Sequence, residues 1–87
     1  KVAAMPYPLS RQQKQLMALL ALHAGPTKSV RYATLRAAGV PEQVKTIFNS
    51  RAAVLDSLVN RKLQELEAAG WIVMNHGTYQ IIRDDWQ

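Results

Sequence analysis

The chain of 87 residues contains no cysteine, which excludes disulfide bonds, thiolate zinc ligands and cysteine nucleophiles. Its longest apolar run, Leu16 to Leu22, has seven members, far fewer than the roughly 20 needed to cross a bilayer. Acidic residues are also scarce, with six Asp and Glu against eleven Lys and Arg. The apolar fraction of 48% is nevertheless that of a folded protein. We therefore expect a globular cytoplasmic domain with no membrane segment.

Groups that could converge for catalysis are equally few. The two histidines, His23 and His76, have no third ligand at a spacing typical of a metal site. Glu65 and Glu67 stand two residues apart on a predicted helix, so their side chains diverge and cannot form an acid–base pair. The four glycines stand singly and match no phosphate-binding loop. We expect no enzymatic activity, no metal site and no cofactor.

The charge that is present is unevenly placed along the chain. Residues 1–62 carry ten basic and two acidic side chains, whereas residues 63–87 carry one basic and four acidic ones. A basic body attracts polyanions, above all nucleic acid, although a basic surface also serves solubility alone. The first residue is Lys1 rather than methionine, so we expect a processed product or a segment of a longer protein.

Capping residues and apolar periodicity divide the chain into an arm and one folded domain. Pro6 and Pro8 disfavour helix, so residues 1–9 are predicted to form an N-terminal arm and residues 10–87 the domain. Ser10 and Gln13 have the spacing of a capping box, and Ser50 is the predicted N-cap of the longest helix. The predicted elements are a helix over Arg11–Ala24, a brief strand at Val30, short helices over Tyr32–Ala38 and Pro41–Asn49, a long helix over Arg51–Ala69, and a β-hairpin over Trp71–Ile82.

The second half of the chain carries a pattern that is known from a family. The run Arg61-Lys62-Leu63-Gln64-Glu65-Leu66-Glu67-Ala68-Ala69-Gly70-Trp71-Ile72, followed by Gly77-Thr78-Tyr79-Gln80-Ile81, resembles the winged helix-turn-helix domains of bacterial regulators. In those domains an R-x-L-x-x-L-E-x-x-G-aromatic-I pattern closes the recognition helix and leads into the wing. The resemblance covers about Val30–Ile82, with Arg11–Ala24 in the place of the first helix. It implies a mainly α fold with a small antiparallel β-hairpin.

The resemblance does not decide which segment corresponds to the family's second helix. Either Pro41–Asn49 is an inserted helix, or it is the second helix and Tyr32–Ala38 is extra. The predicted wing tip is also unusual, because Asn75-His76-Gly77 contains no Lys or Arg. A contact between this wing and DNA is therefore left open, with His76 as its candidate residue.

The polar face of the long helix is the candidate DNA-reading surface. With Leu55 at the centre of the apolar face and 100° per residue, Ser57, Asn60, Arg61 and Gln64 fall on the opposite arc. Arginine suits guanine in the major groove, and Asn or Gln suits adenine. Phosphate contacts need cations nearby, and the preceding segments supply Lys28, Arg31, Arg36, Lys45 and Arg51. Lys62 falls on the core side, so its amine must extend to the rim.

These observations predict a domain that binds double-stranded DNA, from a regulator of transcription, a mobile element, or a replication or partition protein. The alternative is a winged-helix module that packs on a protein partner and has no nucleic-acid role, since fold alone does not decide function. RNA is less favoured, because the sequence shows no run of exposed aromatic residues for stacking bases. A homodimer is a further alternative, with Leu22, Val2, Tyr7 and Trp86 as candidate surface residues.

Overall fold

A computed structural model of the chain describes residues 8–86. Its described part is mainly helical and contains a small three-stranded antiparallel sheet. The elements are α1 (Arg11–Ala24), β1 (Ser29–Arg31), α2 (Tyr32–Ala37), α3 (Val40–Ile47), α4 (Leu55–Ala68), β2 (Ile72–Asn75) and β3 (Thr78–Ile81). Within residues 8–86 no helix is both long and apolar enough to cross a membrane. The predicted arm falls in this range only at Pro8 and Leu9, and Val2 and Tyr7 lie outside it.

The first helix begins and ends where the sequence predicts. The Ser10 hydroxyl accepts a hydrogen bond from the backbone N–H of Gln13 at 3.1 Å, and the Gln13 side chain accepts from the backbone N–H of Ser10 at 2.9 Å. This capping box satisfies two N–H groups that the helix itself leaves unpaired. Leu16 and Leu20 lie on the buried face of α1, together with Met17 and Ala24.

The start of the longest helix was predicted wrongly. Ser50 does not act as its N-cap, because the residues that follow it are not helical and Val54 is the N-cap instead. The Ser50 hydroxyl accepts a hydrogen bond from the backbone N–H of Ala52 at 3.1 Å. This local turn competes with helix, as serine side chains often do. Residues 51–54 are not helical, and α4 begins at Leu55 after the extended residue Val54. Arg51 therefore lies in the loop before α4 rather than on the helix.

The predicted hairpin is present and gains a third strand. The strand order is β1-β3-β2, with Val30 opposite Tyr79 and Val73 opposite Gln80. His76 and Gly77 both have positive φ, 51° and 78°, as a two-residue type I′ turn requires. The brief strand predicted at Val30 is β1, and it lies against β3 along its whole length.

One core joins the helices to the inner face of the sheet. Helix α4 contributes the buried side chains of Leu58, Val59, Leu63 and Leu66, and the sheet contributes Ile72, Tyr79 and Ile81. Helix α3 packs against both α1 and α4, whereas α2 packs against α3 and β1. The sheet thus closes the open side of a small helical core, which a two-stranded hairpin alone would cover poorly.

Lys62 confirms the prediction that it emerges from the core side of α4. Its side chain is only 22% exposed, and its Nζ atom lies 4.6 Å from the centroid of the Phe48 ring. The same ammonium lies 3.9 Å from a carboxylate oxygen of Glu65. The stem of this lysine therefore covers apolar surface while its charge stays at the rim.

Candidate nucleic-acid interface

The outer face of α4 presents four polar side chains to solvent. Ser57, Asn60, Arg61 and Gln64 are all exposed, opposite the buried leucines of the same helix. Within residues 8–86 none of these side chains forms a hydrogen bond or ion pair with another residue. The arrangement predicted from the helical periodicity is therefore confirmed. The face offers donors and acceptors that are free to bind another molecule.

Several exposed cations lack a carboxylate partner in the described part of the chain. Arg31, Lys45, Arg51 and Arg61 are exposed, and none of them takes part in an ion pair among the residues that the structure describes. Lys45 lies in the last turn of α3, and Arg51 lies in the loop that leads into α4. Both therefore flank the start of the helix that carries Arg61. Such unpaired cations can neutralise phosphates without first breaking an internal contact.

The other two predicted phosphate contacts are paired within the domain. Lys28 forms an ion pair with Asp84, and Arg36 forms one with Asp56. All four side chains are roughly half exposed, so the pairs are solvated and each contributes little to stability. A phosphate contact from either cation has to compete with its carboxylate.

Asp56 is the centre of a cluster that joins α2 to the first turn of α4. Nη2 of Arg36 donates to Oδ2 of Asp56 at 2.8 Å, and the hydroxyl of Tyr32 donates to Oδ1 of the same carboxylate. The guanidinium of Arg36 lies over the Tyr32 ring, 5.3 Å from its centroid. The Tyr32 ring in turn meets Tyr79 of β3 edge to face, with centroids 6.2 Å apart. The cluster thus links α2, α4 and the sheet.

Both tyrosines of this cluster resist ionisation. Burial and the hydrogen bond to Asp56 raise the pKa of Tyr32 to about 12. Burial also raises the pKa of Tyr79, and the nearby Asp56 charge adds to the effect. The phenol of Tyr32 is therefore a hydrogen-bond donor throughout the physiological range.

The polar face of α4 continues into a surface hollow next to the sheet. The hollow has a volume of about 330 Å³ and is lined by Tyr32, Asp56, Ser57, Asn60 and Tyr79. Its walls carry hydroxyl, amide and carboxylate groups, so it can take a hydrogen-bonding group of a bound molecule. The sequence analysis missed Tyr32 and Asp56, because neither has a local spacing that points to the other. The one local signal is an acidic residue in the first turn of a helix, where the dipole favours it.

The two cations at the ends of β1 have different surroundings. Arg31 is paired across the sheet with Thr78, beside the turn, and the next backbone N–H, that of Tyr32, donates to the carbonyl of Gly77 at 2.8 Å. Lys28 lies at the opposite end, where its carbonyl accepts from the N–H of Ile81. The turn between β2 and β3, the predicted wing tip, is exposed and holds His76 but no cation. Arg31 on the neighbouring strand therefore supplies a positive charge close to the tip.

Apolar residues are nearly absent from the outer face of α4. The exposed large hydrophobic side chains in the described part of the chain are Leu22, Val54, Val73 and Ile82. Leu22 lies on α1 and Val73 on β2, and only Val54 borders the polar face of α4. Trp86, another candidate for a dimer surface, packs against the core instead.

Metal-binding geometry is missing from the described residues. Nowhere in residues 8–86 do three His, Cys, Asp or Glu side chains come close enough to hold a metal ion. His23 is half-buried on α1, and His76 is exposed at the turn.

A scan against protein-family models and searches among curated proteins and solved structures find no match to this chain.

Proposed function

We propose that the chain is a winged helix-turn-helix domain that binds duplex DNA through α4. The order of elements and the β1-β3-β2 sheet support this proposal, because they fit the architecture that the sequence resemblance implies. In this proposal α3 is the second helix of the unit, since it packs against both α1 and α4. The short helix α2 is then an addition between β1 and α3, and the hairpin of β2 and β3 is the wing.

The observation that carries the proposal is the exposed polar face of α4 with unpaired cations beside it. The major groove of B-DNA admits one helix, and its base edges match the side chains present. In this arrangement Arg61 reads guanine, while Asn60 and Gln64 read adenine. Lys45 and Arg51 neutralise phosphates near the start of α4, and such contacts fix the register of the protein on the duplex.

The charges around the face also favour the binding of DNA, which is a polyanion. Asp56, an acid in the first turn of α4 beside the face, is compensated by Arg36 and by the hydroxyl of Tyr32. Arg31 extends the positive surface toward the wing tip, where His76 lies. The proposed partner is double-stranded DNA in the cytoplasm, and the proposed parent is a regulator, a mobile element, or a replication or partition protein.

The alternative function, a module that packs on a protein partner, has less support on this face. Interfaces of that kind have an apolar centre with a polar rim. The outer face of α4 has only Val54 at its edge, and the most exposed leucine, Leu22, lies on α1. Leu22 remains a candidate for self-association, separate from the proposed DNA surface.

The test is a binding titration against salt, with a labelled duplex of random sequence and its single strand as probes. If Arg31, Lys45 and Arg51 each neutralise one phosphate, log K for the duplex falls with log salt at a slope of about −2.7. The double variant Lys45→Ala/Arg51→Ala is expected to lower this slope by about two thirds. Its matched control, Arg11→Ala/Lys14→Ala, removes the same charge from α1 and is expected to change the slope much less.

Two outcomes contradict the proposal. Absence of duplex binding at low salt favours the protein-interaction module. Equal losses in the two double variants mean that the net charge attracts DNA without a defined surface. Circular dichroism of each variant shows whether its fold is retained.

A further inference from the structure

Val54 occupies a position where local structure does not favour it. It is the N-cap residue of α4, with φ −105° and ψ 106°, and it provides no side-chain hydrogen bond to the helix. Valine is among the poorest N-cap residues, because it cannot accept from the free N–H groups of the first turn. Its side chain is 60% exposed and lies outside the core. Val54 lines a surface hollow with Pro41 and Glu42 of α3, but most of its side chain stays exposed. Capping therefore does not explain a valine here and packing does so only in part, and departures of this kind are expected at functional positions.

The position of Val54 extends the proposed reading face by one helical turn. It precedes Ser57 by three residues and Arg61 by seven, so the three side chains follow one stripe of the helix surface. Recognition helices contact bases mainly with their N-terminal residues. A side chain at the start of α4 is therefore placed to meet a base edge when the helix lies in the groove.

We propose that Val54 recognises the C5-methyl group of a thymine in the bound duplex. This inference rests on the proposed function of α4. The branched apolar side chain has no donor or acceptor, and the thymine methyl is the apolar group that base edges present in the major groove. Seven residues of helix span about 10.5 Å, close to three base-pair steps of about 3.4 Å. A recognition helix enters the groove at an angle, so the thymine that Val54 contacts lies within about three base pairs of the guanine that Arg61 contacts.

The experiment uses deoxyuridine, which differs from thymidine only by this methyl group. A preferred duplex is selected from a random library with the wild-type chain, and each thymine in it is then replaced singly. One replacement is expected to weaken wild-type binding about fourfold, the fold-change that corresponds to one methyl-sized group removed from an apolar contact. With Val54→Ala, the same replacement is expected to cause little further loss.

Val73→Ala is the matched control. It makes the same change at another exposed valine, on β2 rather than at α4, and should keep the full fourfold sensitivity. Sensitivity to deoxyuridine that persists in Val54→Ala overturns the inference, as does a wild-type chain that is insensitive at every thymine. Those results leave the proposed function intact when the duplex is still bound. A wild-type chain that enriches no duplex overturns both.

Discussion

Nη2 of Arg36 lies 2.8 Å from Oδ2 of Asp56, and this contact joins the short helix α2 to the first turn of α4. Tyr32 donates to the same carboxylate, so one side chain of α4 holds two side chains of α2. The cluster lies beside Ser57, at the edge of the proposed reading face. If α4 binds DNA as proposed, the cluster limits the positive charge available at this edge, because Arg36 is bound to Asp56 and Asp56 itself is negative.

Replacement of this carboxylate is expected to strengthen binding to DNA of any sequence. Asp56→Asn removes a negative charge and releases Arg36, so one additional phosphate contact becomes available. The salt dependence of duplex binding should steepen by about 0.9 in log–log slope. The free energy of unfolding should fall by only about 1 kcal/mol, since an exposed ion pair and a helix-dipole contact are each worth less than that.

Asp84→Asn is the control for this prediction. It releases Lys28 from the other exposed ion pair, next to β1 at the end far from the wing tip. We expect it to change the salt slope much less than Asp56→Asn does. If Asp56→Asn instead weakens binding to every duplex, Asp56 holds Arg36 in a productive position rather than competing for it.

The two cations that flank β1 should differ in their contribution to DNA binding. Arg31 lies beside the wing tip without an ion-pair partner in residues 8–86, whereas Lys28 is paired with Asp84. Arg31→Ala is expected to reduce the salt slope by about 0.9, and Lys28→Ala should reduce it by clearly less. Anisotropy titrations with random duplex at several salt concentrations measure both. Slopes that stay at the wild-type value in both variants would mean that this side of the sheet does not contact DNA.

The parts of the fold that were predicted correctly depend on short-range physics. The Ser10–Gln13 capping box defines the start of α1, and His76-Gly77 permits the tight turn between β2 and β3. The outer face of α4 follows from helical periodicity alone, which places Asn60 opposite the buried leucines. The winged-helix assignment itself stays a prediction.

The parts that were missed depend on choices that sequence spacing does not show. Ser50 is as suitable for a local turn as for an N-cap, and only the structure shows that it binds Ala52 and delays the helix. The contacts of Asp56 with Tyr32 and Arg36 join residues 24 and 20 positions apart. A pairing over such distances becomes visible only when α2 and α4 are placed side by side.

Arg61 is expected to discriminate between DNA sequences. It is the cation within the exposed polar face of α4 and has no ion-pair partner in residues 8–86. Arg61→Ala should cost about 1–3 kcal/mol on the selected site and much less on random duplex, because a bidentate contact to guanine is lost. An exposed helical position tolerates alanine, so the fold should be retained.

Lys45→Ala provides the comparison for Arg61. A phosphate contact carries no base information, so this variant should weaken selected and random duplexes by similar factors. Competition titrations with both duplexes give the two ratios. If Arg61→Ala lowers the affinity for selected and random duplexes equally, Arg61 contacts only phosphate. The residues that read the bases then lie elsewhere.

Tyr32 should make the stability of the domain sensitive to alkaline pH. Its pKa in the folded state is about 12, against an ordinary value of 10.0. Between these values the folded chain keeps a proton that the unfolded chain has lost, so the free energy of unfolding falls as pH rises from about 10 to 12. Below pH 10 this contribution is fully present. Tyr32→Phe should flatten this part of the stability curve measured by urea denaturation.

Absorbance of tyrosinate gives an independent measurement of the same group. The chain has three tyrosines, and the wild-type protein should show one that titrates near pH 12 while still folded. That late step should be absent from Tyr32→Phe. If the step near pH 12 persists in Tyr32→Phe, it belongs to another tyrosine. The hydrogen bond to Asp56 would then have little influence on the pKa of Tyr32.

Val54→Ser is expected to make the domain more stable and less selective. A serine hydroxyl at this N-cap can accept from a free N–H of the first turn of α4, which valine cannot do. The free energy of unfolding should therefore rise by roughly 0.5–2 kcal/mol in urea denaturation. The apolar contact to the thymine methyl is lost at the same time, so replacement of that thymine by deoxyuridine should no longer matter. Stability gained without any change in this sensitivity would show that Val54 is a poor cap with no part in reading DNA.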